Sequence, residues 1–282
     1  MQVYEEPTKE LPLRSCDVVV AGGGTAGVVA AIAAARQGAK TVLVEAKGYP
    51  GGIVVEGGTA LHSFYNLWKP FPGVEKRQVV RGIPQEIIDR LMEVGGTTGH
   101  AEMTEGYDYD SVCTAIDTEL YKLTVFEMMK EAGVDVCVNT LLTDAIVDDH
   151  RIRGVITESR SGREVIDADT FVDSTGYGDL AAYAGADFIE LNDYPVVNSI
   201  GVAGVSLEKY YEFLASYDAV TQYAEGPRSG EPDKIVRIDG ARDKLPAAFA
   251  EGARAIGMSL VTTSVHDDYF MFIKINYKMP VS

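Results

Sequence analysis

The sequence predicts an α/β protein with a mostly parallel sheet, and three observations carry that prediction. A strand–helix–strand run opens the chain as DVVVA, then TAGVVAAIAAARQ, then TVLVE. Glycines punctuate its first turn as Gly22-x-Gly24-x-x-Gly27. Further on, the apolar stretches LLTDAIVDD, RGVITESR and REVIDADTFVDST are separated only by DHR and SG. That spacing predicts an antiparallel meander returning to a core strand at Thr170–Val172. A β-α-β order requires a crossover, and a crossover leaves the two strands parallel.

The elements follow in order. Asp17–Ala21 reads as a strand because Val18, Val19 and Val20 form an unbroken β-branched run. A helix spans Thr25–Gln37, closed by Gly38, and a second strand spans Thr41–Glu45. From Ala46 to Gly82 the chain is dense in Gly, Pro and aromatic residues (GYPGG, SFYNLWKPFPG) and reads as loop. Ile83–Val94 sets Ile83, Ile87, Ile88 and Leu91 on one helical stripe. Thr118–Ala132 is the next helix, with Asp117 as N-cap and Gly133 as stop. Val134–Val138 follows as a short buried strand, and Asp179–Ala184 as a short helix. Beyond Tyr194 only Leu207–Ala215 and Ala247–Ile256 carry a helical pattern.

Charge and composition exclude several functions. With 42 acidic against 25 basic residues the net charge is −17. Such a chain repels a phosphate backbone, so no nucleic-acid partner is expected. No apolar run reaches the roughly 18–20 residues needed to span a bilayer. The first residues, MQVYEEPTKELPLRS, lack the basic and apolar regions of a secretory signal, so a soluble cytoplasmic protein without a membrane partner is expected. Cys16, Cys113 and Cys137 form no C-x-x-C or C-x4-C pair, which leaves neither a redox dithiol nor a zinc knuckle. His266-Asp267-Asp268 are adjacent rather than spaced, and no metal site is expected. Neither a G-x-S-x-G elbow nor a G-x4-G-K-[ST] loop is present for acyl or phosphoryl transfer.

The glycine turn points to a dinucleotide. Gly22 permits a tight turn off the strand, and Gly24 leaves the backbone open to a pyrophosphate. Gly27, with Ala30, Ala31 and Ala34, lets the helix pack closely on the sheet. The N–H groups and positive dipole end of that helix then face two negative charges. Glu45, ending the second strand, suits both ribose hydroxyls and would repel a 2′-phosphate. This fingerprint alone leaves NAD and FAD both open.

Two later features bear on the choice. Gly51-Gly52 follows Glu45 in EAKGYPGG, a spacing that resembles FAD proteins of the glutathione-reductase type. VDSTGYGDLAAYAGA resembles their second FAD motif, with Ser174 in place of Ala and Tyr177 in place of the common acid. Together with RGIPQEIIDRL and EAGVDVCVNTLLTDAIVDD, the order resembles the broad FAD-dependent oxidoreductase family, distantly related to fumarate reductase flavoproteins. The resemblance covers approximately residues 15–190.

The resemblance implies a Rossmann-like FAD-binding domain over 15–190, with a loop-rich insertion at 46–116, and a partial substrate or cap region over 191–282. It implies FAD contacts at Gly22, Gly24, Thr25, Ala26, Gly27, Glu45, Lys47, Gly51, Gly52, Thr175, Gly176 and Asp179, with the Leu142 main chain beside the adenine. It implies hydride transfer between a small organic substrate and flavin N5. Family members also carry a C-terminal G-x-A-A-G flavin contact, whereas this sequence ends KINYKMPVS. A flavin-binding subunit or incomplete fragment therefore stands as a second reading, and an NAD-binding dehydrogenase as a third. Oligomeric state is not legible.

For catalysis a flavin enzyme needs a proton carrier and a polarising group. His62, the only imidazole in VVEGGTALHSFYNLW, is the candidate acid or base, although a loop histidine bonded to a carbonyl has the same signature. Arg81, like Arg77, could hold a substrate carboxylate bidentately. Tyr65 and Trp68 are candidates for stacking.

Overall fold

In a computed structural model the structure describes residues 7–56, 61–62, 77–102, 112–189, 195–204, 206–220, 222–228, 231–237, 241–255, 260–267 and 270–278. The chain begins with β1 (Leu13–Ala21), α1 (Thr25–Arg36), β2 (Thr41–Val44), α2 (Ile53–Glu56) and β3 (Leu61–His62). Next come α3 (Ile83–Glu93), β4 (His100–Glu102), β5 (Val112–Ala115), α4 (Thr118–Ala132) and β6 (Asp135–Cys137). The strands β7 (Leu141–Asp148), β8 (Arg151–Ser159) and β9 (Gly162–Asp173) precede α5 (Asp179–Tyr183). Then follow β10 (Pro195–Ala203), α6 (Leu207–Ser216), β11 (Gln222–Arg228) and β12 (Glu231–Arg237). A 3-10 turn (Ala241–Lys244), α7 (Ala247–Ala255), β13 (Leu260–Asp267) and β14 (Phe270–Lys278) complete it. The chain divides into two compact units, Met1–Pro50 with Phe126–Phe188, and Gly51–Val125 with Ile189–Ser282.

The first unit is built on a six-stranded sheet of order β6-β2-β1-β9-β8-β7. β1 is parallel to both β2 and β9, and β2 is parallel to β6. β7, β8 and β9 form the antiparallel meander. β9 belongs to both parts: Val165–Asp173 pair with β1, while Gly162–Asp167 pair with β8. The α/β class expected from sequence is the class observed. Val19, Val20, Ala21, Ile32, Leu43 and Ile166 are fully buried, as the β-branched run and the alanine-rich helix require. α1 buries Gly27, Val28, Ala31 and Ile32.

Register decides where the turns emerge. Ala21 pairs with Val44 and with Asp173, and Val44 pairs with Cys137. Four strands therefore end in one row. The residues that follow them, Gly22, Glu45, Val138 and Ser174, leave the sheet at the same carboxyl edge. In open α/β sheets that edge is where ligands bind.

The second unit carries two antiparallel sheets, β3-β5-β4 and β10-β14-β13-β12-β11. α3 buries Ile87, Ile88 and Leu91 of the expected stripe, while Ile83, at its first position, is half-buried. Asp117 caps α4, its Oδ1 accepting from the N–H groups of Glu119 at 2.9 Å and Leu120 at 3.0 Å. Leu214, Ala219, Leu245 and Ala253 form a small separate core. The five-stranded sheet is the largest departure from the sequence reading, which found no pattern there beyond two helices. β10 pairs with β14 in register Pro195 to Lys278, and no local signal encodes a partner so distant in sequence. The strands β3, β4 and β5 were likewise hidden in stretches read as loop, because two to four residues are too few to show a period. No helix among the described residues is long and apolar enough to cross a membrane.

Candidate cofactor-binding site

At the carboxyl edge of β1 the chain turns so tightly that side chains are excluded. Gly22 has φ +94°, and a Cβ there would lie 2.4 Å from the Ser174 carbonyl oxygen. A Cβ on Gly27 would lie 1.8 Å from the Gly22 oxygen. Both obstacles are backbone, so neither can swing aside. The turn is pinned from two directions: Gly22 N–H donates to the Val44 carbonyl at 2.8 Å, and Ser174 N–H donates to the Ala21 carbonyl at 2.8 Å.

α1 opens from this turn without a cap. Its N-cap, Gly24, makes no side-chain hydrogen bond, and no acidic residue sits in its first turn. A helix start leaves backbone N–H donors without intrahelical partners and concentrates positive dipole charge. Thr25 and Ala26 are exposed there, while Gly27 is buried against the sheet. This end of α1 suits an anion with several acceptors, and a diphosphate meets that description.

Beside it the Glu45 carboxylate is held at both oxygens. Oε2 accepts from Gly23 N–H at 2.7 Å, and Oε1 accepts from Lys47 N–H at 2.8 Å. Each oxygen retains a further lone-pair direction for a hydroxyl. The loop carrying it is stitched to the neighbouring one: Thr140 N–H donates to the Glu45 carbonyl at 3.0 Å, and Asn139 N–H to that of Lys47 at 2.8 Å. Asn139 takes φ +51°, a conformation asparagine tolerates better than most residues. Ala46, Asn139, Thr140 and Leu141 line part of an open groove of about 1240 Å³. Leu142 follows in β7, paired with Thr157 of β8 and packed against the first unit's core.

The third turn is closed by an acid that sequence reasoning passed over. Asp173 Oδ1 accepts from Thr175 N–H at 3.1 Å and from the Thr175 hydroxyl at 2.8 Å. Its Oδ2 accepts from Ala181 N–H at 2.9 Å, and Thr175 Oγ1 accepts from Asp179 N–H at 2.9 Å. Burial alone would push the Asp173 carboxyl up. The hydrogen bonds from Ala181, Thr175 and Leu180 outweigh it and hold the carboxyl below its ordinary value. An acid two residues before a threonine, at the end of a strand, was the available signal. Gly176 and Gly178 turn the chain at φ +87° and +76°.

Arg14 was also missed. Its Nη1 donates to Asp135 Oδ2 at 2.7 Å, and its Nη2 to Glu164 Oε1 at 3.2 Å and to Cys137 Sγ at 3.1 Å. The network joins β1, β6 and β9 and is structural. Burial raises the Cys137 thiol against the lowering effect of Arg14, and burial also raises the Cys16 thiol. Cys16 is buried as the small hydrophobe the sequence suggested, whereas Cys137 is half-buried and meets the Arg14 guanidinium.

The first unit thus brings together Gly22, Gly24, Thr25, Ala26, Gly27, Glu45, Lys47, Leu142, Thr175, Gly176 and Asp179. Gly51, Gly52, His62 and Arg81 belong to the second unit. Gly51 and Gly52 take φ +127° and +52° and open the single turn of α2, with Val54 N–H donating to the Gly51 carbonyl at 3.2 Å. His62 lies in β3, in register with Thr114. Arg81 is exposed, and its Nε donates to the Gln78 carbonyl at 3.2 Å. Tyr65 and Trp68 fall outside the described residues. No group of three or more metal-ligating side chains occurs among the described residues.

Comparison with known proteins agrees with this geometry. The family described as FAD dependent oxidoreductase matches residues 17–221. Over 91 residues the chain is 37% identical to the 3-oxosteroid 1-dehydrogenase of Mycolicibacterium smegmatis, a match covering 32% of this chain and only 15% of that protein. A geranylgeranyl bacteriochlorophyll reductase-like protein of Thermoplasma acidophilum shares the fold with a TM-score of 0.55 at 14% identity, over 94% of this chain and 57% of the other. The flavin-dependent brominase Bmp2 does so with a TM-score of 0.57 at 13% identity, over 93% and 56%. The chain therefore spans well under two thirds of each of these relatives. The family match sets the NAD reading aside: this chain belongs to the FAD-dependent oxidoreductase family, and its cofactor is FAD.

Proposed function

We propose that the protein passes a hydride between a carbon of a small organic substrate and flavin N5. The observation that supports the cofactor half of this reading is the uncapped start of α1, opening from a turn with no room for a side chain, next to a carboxylate fixed at both oxygens. In this reading the N–H groups around Gly22, Gly24, Thr25, Ala26 and Gly27 hold the diphosphate. Glu45 accepts from the ribose hydroxyls, and Lys47 borders the same pocket. The Leu142 main chain would contact the adenine, and the turn at Thr175, Gly176 and Asp179 would help hold the cofactor. Gly51 and Gly52 let backbone approach the flavin.

When bound, FAD supplies reversible two-electron chemistry at N5. The chain's own residues then orient the substrate, exclude water and move a proton. His62 is assigned the proton, since an imidazole changes charge near neutral pH. Arg81 is assigned a substrate carboxylate, which its guanidinium could engage through two N–H groups. The hydride would leave a C–H next to oxygen or nitrogen, or be removed across a C–C bond; the name of the M. smegmatis relative, a 3-oxosteroid 1-dehydrogenase, supports a dehydrogenation and no more. The brominase, at 13% identity, speaks for the fold alone.

The test is an absorbance spectrum of the purified protein before and after heat release of the cofactor. About one equivalent of flavin, bleached anaerobically by a member of a substrate panel, is the expected result. A colourless protein that also refuses added FAD would refute the reading, and bound flavin that no substrate bleaches would refute its hydride-transfer half.

A further inference from the structure

In the second unit an imidazole joins α3 to the three-stranded sheet. Gln85 and Asp89 lie one turn apart on α3, and Gln85 Nε2 donates to Asp89 Oδ1 at 2.8 Å. Gln78 Nε2 donates to the Val80 carbonyl at 2.9 Å and also to Gln85 Oε1. A carboxylate and a carbonyl accept only, so what each amide faces fixes its orientation. Gln85 Oε1 is then the atom that meets His100 Nε2 of β4, 3.0 Å away. An amide oxygen gives no proton, so His100 carries its hydrogen on Nε2. Nδ1 is left as an acceptor, and the Thr114 hydroxyl of β5 donates to it at 2.6 Å.

This arrangement suits a neutral ring and resists a charged one. Protonation would put a second N–H on Nδ1, facing a hydroxyl whose hydrogen already points there. The hydroxyl would have to turn, and Thr114 is only 1% exposed, so little water is at hand to take its proton. A buried donor left without an acceptor is costly. His100 itself is half-buried, which gives its ring an access to water that Thr114 lacks. Burial lowers the proton affinity of His100, and the Asp89 carboxylate opposes that in part.

We propose that His100 is a pH-operated fastener: neutral, it ties α3 to β4 and β5, and on protonation it leaves Thr114 for water and gives up Gln85 with it. The fastener belongs to the second unit by itself and needs neither flavin nor turnover. Asp89 is the carboxylate that acts on the ring from α3, whose Glu86 and Arg90 pair with each other at 3.0 Å. Arg81, in the segment before α3, is bound to the Gln78 carbonyl at 3.2 Å. β4 ends at Glu102, and β3 brings His62 into backbone register with Thr114. β11, which approaches both β4 and β5, carries Glu225 and Arg228 in its sequence. The folded value lies below 6.5, so the neutral ring contributes stability that is complete above 6.5. That stability is lost as pH falls from there toward the folded value.

Histidine-labelled full-length protein, its flavin content recorded by absorbance, would be titrated by long-range ¹⁵N NMR between about pH 5 and about pH 8. The four histidines are assigned by single substitutions. His100 is expected as the Nε2–H tautomer, titrating below 6.5. Amide protection factors in α3 and β5 should be about tenfold lower near pH 5 than near pH 7. His100→Asn keeps an acceptor for the Thr114 hydroxyl but cannot titrate, so its protection factors should stay level with pH. Gln85→Glu sets a carboxylate against the Nε2–H and should raise the His100 midpoint by about one unit. Far-UV circular dichroism checks the fold, and if His100→Asn unfolds, the tautomer and the Gln85→Glu shift carry the test. An Nδ1–H tautomer at His100 would overturn the proposal, as would wild-type protection that ignores pH. The same slope in folded His100→Asn, or an unmoved midpoint in Gln85→Glu, would do so too.

Discussion

At the scale of single residues, the carboxyl edge of the first unit depends on atoms that are absent. Gly27 has no Cβ where one would sit 1.8 Å from the Gly22 oxygen. Gly27→Ala must therefore displace the turn or the helix, an overpacking that costs about 1–3 kcal/mol. Denaturant unfolding should show the loss, and flavin content should fall with it. Unchanged stability would mean that the turn relaxes freely. Glu45 depends instead on charge. In Glu45→Gln a single amide oxygen replaces two carboxylate oxygens, so the N–H of Gly23 or of Lys47 loses its acceptor. FAD affinity should drop about tenfold, equivalent to ~1.4 kcal/mol, as read by titration of flavin fluorescence. An unaltered affinity would remove Glu45 from the cofactor site.

At the scale of elements, α5 is fastened to β9 by one acid and one hydroxyl. The folded Asp173 carboxyl sits below its ordinary value of 3.8. A depressed carboxyl contributes stability that is complete above that ordinary value and is lost as pH falls through the folded one. Amide exchange across residues 174–184 should therefore accelerate below about pH 4. Asp173→Asn should exchange faster at neutral pH and lose the acid limb. If the variant keeps that limb, another group opens the turn. Thr175→Ala removes the bridge between Asp173 and the Asp179 N–H. Like the loss of an N-cap, it should destabilise the α5 turn by about 1 kcal/mol, measurable as local exchange without a change in global unfolding.

At the scale of the whole molecule, charge opposes the cofactor. The chain carries −17 and FAD a diphosphate, so their long-range interaction is repulsive and salt screens it. Stopped-flow quenching of flavin fluorescence should show association to apoprotein quickening as ionic strength rises. An on-rate that falls with salt would mean that the local field of the binding edge dominates the net charge. Binding to the folded state alone also raises stability, by about 2.7 kcal/mol at a hundredfold excess over Kd. Thermal unfolding midpoints should accordingly climb with added FAD.

The sequence by itself determined the parts whose signals are local. The valine run of β1, the glycine turn, the alanine-rich α1 and the α3 stripe at Ile87, Ile88 and Leu91 each carry their period or turn chemistry within a few residues. The meander was legible for the same reason, since its turns are short. Tertiary structure alone decided what depends on register. It set Ala21, Val44, Cys137 and Asp173 in one row, gave Asp173 its fastening role, and placed Thr114 between His62 and His100. It also paired β10 with β14. The physical reason is common to all of these: a strand's partner is chosen by packing against residues far along the chain, and such pairings leave no period in the local sequence.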